Sequence, residues 1–280
     1  MVSWIARIIK GMIIALGFIL PGVSGGVLAA ILGIYEQMIG FLAHIRKDFV
    51  ENVLFFIPVG IGGILGIALF SYPVEYLLEH YQVIVLWGFA GAIIGTLPSL
   101  WKESTQKSPR DQADWAWVLG TFVVSGLLLY FLNDLVGTLP ANFASFVLAG
   151  ALIALGILVP GLSPSNLLLI LGIYTPMLTG FKNLDLVGTF LPIAIGGLLA
   201  ILAFSKAMDY ALQNYHSRVY HFIIGIVSSS TLLILIPNAG NKESISYAGA
   251  GIVTWILALI FCGLGIWLGL WMSKLEEKYK

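Results

Sequence analysis

The chain has 280 residues, of which 59% are hydrophobic and only 10% are charged, and its formal net charge is zero. Soluble domains carry about 25% charged residues, so this composition excludes an ordinary water-covered globular protein, and the balanced charge does not predict a nucleic-acid partner. The apolar runs are long and rich in Leu, Ile and Gly rather than alternating with a period of two, which favours membrane-spanning α-helices.

The first predicted element is an apolar segment over residues 4–42, interrupted by the sequence PGVSGG at 21–26. Proline lacks the backbone N–H that a helix needs, and glycine-rich sequence favours an open backbone, so one helix cannot run through this break. Each arm has roughly 10 to 17 apolar residues, fewer than a full crossing needs. We therefore predict a re-entrant helical hairpin, with a fully crossing hairpin as the alternative.

Plain transmembrane helices follow, and then the same order of elements recurs. The apolar runs predict spans near 53–70, 83–100 and 115–132, a second broken hairpin over 143–180 with PGLSPS at 160–165, and spans near 187–204, 220–236 and 249–271. GxxxG spacing, which lets helices pack closely within one chain, occurs at Gly62/Gly66, Gly91/Gly95 and Gly265/Gly269. The same spacing also occurs in dimer seams, so the sequence leaves a homo-oligomer open.

An internal repeat relates the two halves of the chain. Residues 11–35 and 150–174 share 14 identities in 25 positions at an offset of 139, and a second matching block follows at an offset of 134. Pro, Gly, Ser and Tyr recur in the same order in both copies, which chance similarity between Leu-rich helices does not produce. We predict a first repeat over 1–141 and a second over 142–280, within a single membrane-embedded unit.

The distribution of positive charge predicts that the repeats are inverted, because cytoplasmic loops carry the excess of Lys and Arg. If each hairpin returns to the side it entered from, twelve of the fourteen Lys and Arg residues lie inside and only Lys182 and Lys242 lie outside, whereas single crossings divide them seven and seven. We therefore predict an all-α polytopic membrane protein with two inverted-topology repeats. Each repeat is a broken re-entrant helical hairpin plus three transmembrane helices, and both termini are cytoplasmic.

The two hairpin breaks form the predicted binding site. Interrupted helices that meet near the middle of the membrane are a recurring transporter plan. A helix that restarts after a break offers free N–H groups and the positive end of its dipole, which suit an anion. The candidate ligands at the breaks are Ser24, Gly25, Gly26, Ser163, Ser165 and Asn166. The alternative is that these residues only let the hairpins turn and pack, with the serines as helix caps.

Charged residues near the apolar runs have separate predicted roles. Arg7 and Lys10 either extend to the cytoplasmic headgroups or point into a cavity and attract an anion. Glu36, in the returning arm of the first hairpin, is a candidate proton carrier or a carboxylate at a loop boundary. A further set is expected to be solvated in outward loops, namely Glu75, Glu79, His80 and Asp134.

An enzyme is not expected. The sequence GVSGG at 22–26 fits the G-x-S-x-G pattern of serine hydrolases, but Ser24 as a nucleophile needs a histidine base within hydrogen-bond reach. All four histidines fall in loops or at span ends. The single cysteine, Cys262, cannot form an internal disulfide or a CxxC metal site. Neither a metal nor a cofactor is therefore predicted.

At FILPGVSGG and ILVPGLSPSN the chain resembles a bacterial membrane family described as polyprenyl-phosphate (undecaprenyl-phosphate) transporters. The resemblance covers essentially the whole chain, and the paired PG-x-S motifs are its most specific part. It implies a flippase that returns undecaprenyl phosphate from the outer to the cytoplasmic leaflet of the bacterial cell membrane, for reuse in cell-wall synthesis. Its partners are then the polyprenyl-phosphate lipid and bilayer lipids, with Arg7 and Lys10 steering the phosphate and Glu36 as the first coupling candidate.

Other classes of function remain as alternatives. A transporter of a small soluble anion would use the same hairpin breaks but would need a hydrophilic path, for which the spans offer few polar residues. A membrane enzyme acting on lipid phosphates would need a cluster of His, Asp or metal ligands. A scaffold for wall-synthesis proteins would need no binding site at all.

Overall fold

The fold is all-helical, as predicted. The computed structural model describes residues 4–20, 28–29, 32, 34, 37–38, 41, 48–107, 109–136, 139–158, 164–238 and 244–279, and no strand occurs among them. The helices are α1 Trp4–Ile19, α2 Phe49–Glu103, α3 Gln112–Val136, α4 Phe143–Leu158, α5 Pro164–Ile170, α6 Tyr174–Lys182, α7 Leu191–Asn214, α8 His216–Leu233 and α9 Ile252–Tyr279, with a π-helical segment Leu186–Phe190 leading into α7.

Several of these helices are long and apolar enough to cross a membrane. Within the described ranges, four candidate spans lie at Phe49–Glu103, Gln112–Phe131, Leu186–Phe204 and Ile252–Lys274, and the bent pair of α5 and α6 makes up to five. Large apolar side chains on their outer faces are exposed, for example Leu128 at 60% and Ile252 at 80%, as expected for lipid-facing surfaces. The chain is a multi-pass membrane protein.

The stretches 71–82 and 205–218, which the sequence predicts as loops, are helical instead. Helix α2 runs through the first stretch with one non-helical residue, Tyr81, at φ −134° and ψ 37°. Tyr215, which separates α7 from α8, has nearly the same backbone at φ −133° and ψ 35°. The two tyrosines are 134 residues apart, which is the offset of the second repeated block. A single residue therefore makes the same turn in both halves.

Close helix contacts recur at repeat-related glycines. A Cβ atom on Gly62 of α2 would lie 1.9 Å from the Ile8 carbonyl oxygen of α1, and a Cβ on Gly196 of α7 would lie 1.8 Å from the Val147 carbonyl oxygen of α4. Each residue of the first pair corresponds to one of the second pair at the repeat offsets. The internal repeat is therefore present in the helix packing as well as in the sequence, while the inverted orientation of the halves in the membrane stays a prediction.

The last span of each half packs against the other half. Helix α9 lies against the part of α2 that follows Tyr81, where a Cβ on Gly91 would meet the Cys262 carbonyl oxygen at 2.2 Å. Helix α3 lies against α8, where a Cβ on Gly225 would meet the Thr121 hydroxyl oxygen at 1.9 Å. The prediction that the GxxxG glycines serve close packing within one chain is thus confirmed. The two halves are therefore held together by the contacts of α9 with α2 and of α3 with α8.

Candidate functional site

The second hairpin has a bend that the sequence analysis did not predict. Helix α5 begins at Pro164 and has only 7 residues, and α6 leaves it at an angle of 110°. The turn between them contains Gly172, whose φ of +72° is one that residues with a Cβ rarely adopt. Because α5 is so short, its dipole is small. Side-chain groups would therefore contribute more than the dipole to the binding of an anion here.

Two of the predicted ligands lie on α5 and are buried. Ser165 is 3% exposed and Asn166 is 1% exposed. The Nδ2 group of Asn166 donates toward the Thr231 hydroxyl oxygen at 3.3 Å and the Ser230 hydroxyl oxygen at 3.5 Å, both on α8. Helix α5 is therefore docked against α8 through this amide.

A tyrosine links the second hairpin to the first. The Tyr174 hydroxyl at the start of α6 donates a hydrogen bond of 2.5 Å to the carbonyl oxygen of Ile19. Both residues are 0% exposed. Ile19 is the last residue of α1, where the final carbonyls of a helix have no partner inside the helix. The contact places the start of α6 beside the end of α1, two residues before the predicted break at Pro21.

The remaining predicted ligands lie outside the described residues. These are Ser24, Gly25, Gly26 and Ser163, together with the coupling candidate Glu36. Their flanking helices are described: α1 ends at Ile19 before the first break, and α4 and α5 border the second. The Tyr174–Ile19 contact therefore brings elements of the two broken hairpins together, while the roles of the residues in the breaks stay predictions.

The two cations of α1 contact protein groups. The Lys10 ammonium donates a hydrogen bond of 2.5 Å to the carbonyl oxygen of Leu32, 22 residues further along the first hairpin. The Arg7 guanidinium lies 4.6 Å above the centre of the Phe55 ring of α2. Both side chains are half-buried. Lys10 thus joins α1 to the returning part of its own hairpin, and this hydrogen bond uses one of the three N–H groups of its ammonium.

Glu75 does not have the solvated loop position that the sequence predicts. It lies on the helical part of α2, its side chain is 14% exposed, and its carboxylate is 2.5 Å from the ammonium of Lys182 at the end of α6. The same carboxylate accepts a hydrogen bond from the Thr179 hydroxyl. These contacts hold α6 against α2. The sequence prediction was wrong because the partner is more than 100 residues away and only the folded hairpin brings it near.

The other members of the predicted solvated set differ from Glu75. Glu79 and His80 are exposed, and the His80 ring stacks on Tyr76 with ring centres 4.2 Å apart. Both are solvated as expected, but they lie on helix α2 rather than in a loop. Asp134 lies in α3, and its side chain is outside the described residues.

A polar cluster joins the first turns of α3 and α8 and was not singled out from the sequence. His221 is 0% exposed, and its Nε2 accepts a hydrogen bond of 3.0 Å from Arg110 Nε. Ser217 donates to the Asp114 carboxylate at 2.7 Å. The His221 Nδ1 atom lies 2.7 Å from the Ser217 carbonyl oxygen and 3.3 Å from the Ser217 hydroxyl oxygen. The cluster packs the loop before α3 onto α8.

Removal of the Tyr174 hydroxyl tests the hydrogen bond that links the second hairpin to α1. We expect Tyr174→Phe to lower the free energy of unfolding by about 1–3 kcal/mol, because it leaves the buried Ile19 carbonyl without this donor. Tyr210→Phe is the matched control, since Tyr210 is 62% exposed. The midpoints of thermal unfolding of the purified variants measure the difference. Equal midpoints for the two variants would show that the contact contributes nothing.

Comparisons with known proteins identify the relatives of the chain. A family model described as undecaprenyl phosphate translocase-like matches residues 14–250. A polyprenyl-phosphate transporter of Staphylococcus aureus is 27% identical over 288 residues, covering 99% of this chain and 98% of that protein. A polyprenyl-phosphate transporter of Vibrio cholerae is 26% identical over 240 residues, covering 80% of this chain and 75% of that protein. No solved structure matches significantly.

Proposed function

The chain belongs to the undecaprenyl phosphate translocase-like family, and from this premise we propose that it transports a polyprenyl phosphate across the membrane. The observation that carries the proposal is the full-length similarity to a protein named polyprenyl-phosphate transporter, over 99% of this chain. The relatives are named as transporters and not as enzymes, in agreement with the expectation of no enzymatic activity. The proposed substrate is undecaprenyl phosphate or a closely similar lipid.

The proposed direction is from the outer to the cytoplasmic leaflet of the bacterial cytoplasmic membrane, with both termini in the cytoplasm. A negative headgroup that moves inward works against the membrane potential by about 2.3 kcal/mol per charge per 100 mV. A proton or a cation that moves with it removes this cost. Glu36 is the carboxylate proposed to carry a proton, and Glu36→Gln is expected to change the pH dependence of transport.

The proposed binding site is the pair of hairpin breaks. The phosphate is held by the hydroxyls of Ser24, Ser163 and Ser165 and by backbone N–H groups at Gly25 and Gly26. A lipid phosphate needs only a headgroup site, because its tail stays in the bilayer, and the Tyr174–Ile19 hydrogen bond supports the proximity of the two breaks. Lys10 and Arg7 are proposed to attract the phosphate from the side of α1.

The double variant Ser24→Ala/Ser163→Ala tests this site. Hydrogen bonds to charged groups contribute about 1.5–3 kcal/mol each, so we expect the initial rate of undecaprenyl phosphate movement in proteoliposomes to fall at least tenfold. The control is Ser71→Ala/Ser104→Ala, which removes two hydroxyls that bond to their own helices. An unchanged rate in the first variant, with a normal elution profile, would refute the proposed phosphate site.

A further inference from the structure

A row of hydroxyl groups lies buried on α8 at its contact with α5. Ser229, Ser230 and Thr231 are 2%, 2% and 4% exposed. The Ser229 hydroxyl is 2.6 Å from that of Ser125 on α3, which extends the row to a second helix. Polar groups inside a membrane bundle are costly to bury, and their position next to the short helix of the second hairpin points to a role in function.

The hydrogen bonds of this row fix the orientation of the Asn166 amide. The hydroxyls of Ser230 and Thr231 both donate to the Val227 carbonyl oxygen, at 3.2 and 2.6 Å. Their protons are therefore used within α8, and they present only lone pairs toward α5. The amide atom that faces them must be a donor, which is the Nδ2 of Asn166. The Oδ1 atom of the same amide is buried and has no hydrogen-bond partner among the residues that the structure describes.

An unpartnered buried acceptor has the wrong polarity for a phosphate. The oxygens of a lipid phosphate accept hydrogen bonds, so they repel the Oδ1 atom of Asn166, whereas a cation is attracted to it. A half-turn of the amide brings Oδ1 to the place that Nδ2 now occupies. Three oxygens, from Asn166, Ser230 and Thr231, then face one point while both hydroxyl protons stay on the Val227 carbonyl oxygen. A cation satisfies such a set.

We propose that Asn166, Ser230 and Thr231 bind a monovalent alkali cation, with the Nδ2 group of Asn166 taking its place in the cation-free form. The proposal rests on the proposed function, because the cation would compensate the charge of the phosphate that moves with it. A divalent ion is not favoured, because sites for Ca²⁺ and Mg²⁺ use carboxylates and the described residues around Asn166 contribute hydroxyls and an amide only.

The position of the proposed cation site fits its role. Asn166 lies three residues after Ser163, so a bound cation would neighbour the proposed phosphate site. A cavity begins one helical turn further along both helices and is lined by Leu169 and Ile170 of α5 and by Ile234 after α8. Its lining also includes the polar residues Asn238 and Ser244, so the cavity is partly polar.

Thermal unfolding in detergent tests the cation site without any transport. The midpoint is measured for the purified protein in NaCl, KCl and choline chloride at constant ionic strength. We expect Na⁺ or K⁺, but not choline, to raise the midpoint saturably, by about 4 °C at ten times the Kd. Thr231→Val should abolish the shift and Thr231→Ser should retain it. Thr96→Val is the matched control, because the Thr96 hydroxyl bonds to its own helix at Ile93.

Cation binding and lipid transport can be present or absent independently of each other, and the measurements distinguish the two. Equal midpoints in all three salts, or the same cation shift in Thr231→Val and Asn166→Leu as in the unmodified protein, would overturn the cation site. A saturable shift that is lost in Thr231→Val and kept in Thr231→Ser supports the site, whether or not the same protein moves lipid. Undecaprenyl phosphate movement that is equally fast in Na⁺, K⁺ and choline would remove the proposed role of the cation in transport.

Discussion

Alanine at Gly62 or Gly196 is expected to cause the largest loss of folded protein. The added Cβ would lie within 2 Å of a backbone carbonyl oxygen of α1 or α4, and a backbone cannot move aside as a side chain can. Overpacking of a core costs about 1–3 kcal/mol even where side chains yield. We expect a cost of about 3 kcal/mol or more here, and therefore little or no monodisperse protein in size-exclusion chromatography.

The neighbouring glycines provide matched controls. A Cβ on Gly63 has no atom within 4 Å, and one on Gly197 meets only ordinary contacts at 3.5 and 4.0 Å. Alanine favours a helix over glycine by about 1 kcal/mol, so Gly63→Ala and Gly197→Ala should be neutral or slightly stabilising. If Gly62→Ala and Gly196→Ala elute and unfold like these controls, the close contacts of α1 with α2 and of α4 with α7 are wrong.

Reversal of one charge in the Glu75–Lys182 pair has the second large expected effect. Lys182→Glu would place two carboxylates side by side at a contact where the Glu75 side chain is only 14% exposed. Like charges about 4 Å apart repel by about 4 kcal/mol at an effective dielectric constant of 20. We expect α6 to lose its position against α2 and the rate of lipid transport to fall at least tenfold. Glu75→Lys should have the same effect, because it pairs two cations.

The double reversal Glu75→Lys/Lys182→Glu distinguishes the pair from the individual residues. It restores opposite charges at the same contact, so transport should recover to within about threefold of the unmodified protein, as coupled neighbours do in a double-mutant cycle. The exposed Glu79, one turn along α2, serves as a control, since Glu79→Lys should leave the rate unchanged. Double and single reversals with the same low rate would show that the ion pair does not position α6.

Local sequence patterns predicted most of the fold. The apolar runs predicted a membrane protein of α-helices, the GxxxG spacing predicted the close contacts at Gly91 and Gly265, and the repeat predicted that both halves use the same contacts. The loops predicted at 71–82 and 205–218 were wrong because the helices continue where the apolar content falls. A single tyrosine makes each turn.

Long-range contacts were not predictable from the sequence. The Glu75–Lys182 pair, the Tyr174–Ile19 hydrogen bond and the contact of Asn166 with Thr231 each join residues that only tertiary packing brings together. Asn166 was predicted as a phosphate ligand because it follows the second break. Its Oδ1 atom, which has no hydrogen-bond partner among the described residues, favours a cation instead. The three adjacent hydroxyl residues of α8 form no sequence pattern that distinguishes them from small packing residues.

The transport of a lipid phosphate can be measured directly in proteoliposomes. Purified protein is reconstituted, and the movement of undecaprenyl phosphate between leaflets is compared with that of undecaprenol, which lacks the phosphate, and with the uptake of inorganic phosphate, which lacks the tail. We predict rapid movement of undecaprenyl phosphate only, above that in protein-free vesicles. No movement of undecaprenyl phosphate under any pH or ion gradient, or uptake of inorganic phosphate at a comparable rate, would show that the chain is not a transporter of polyprenyl phosphate.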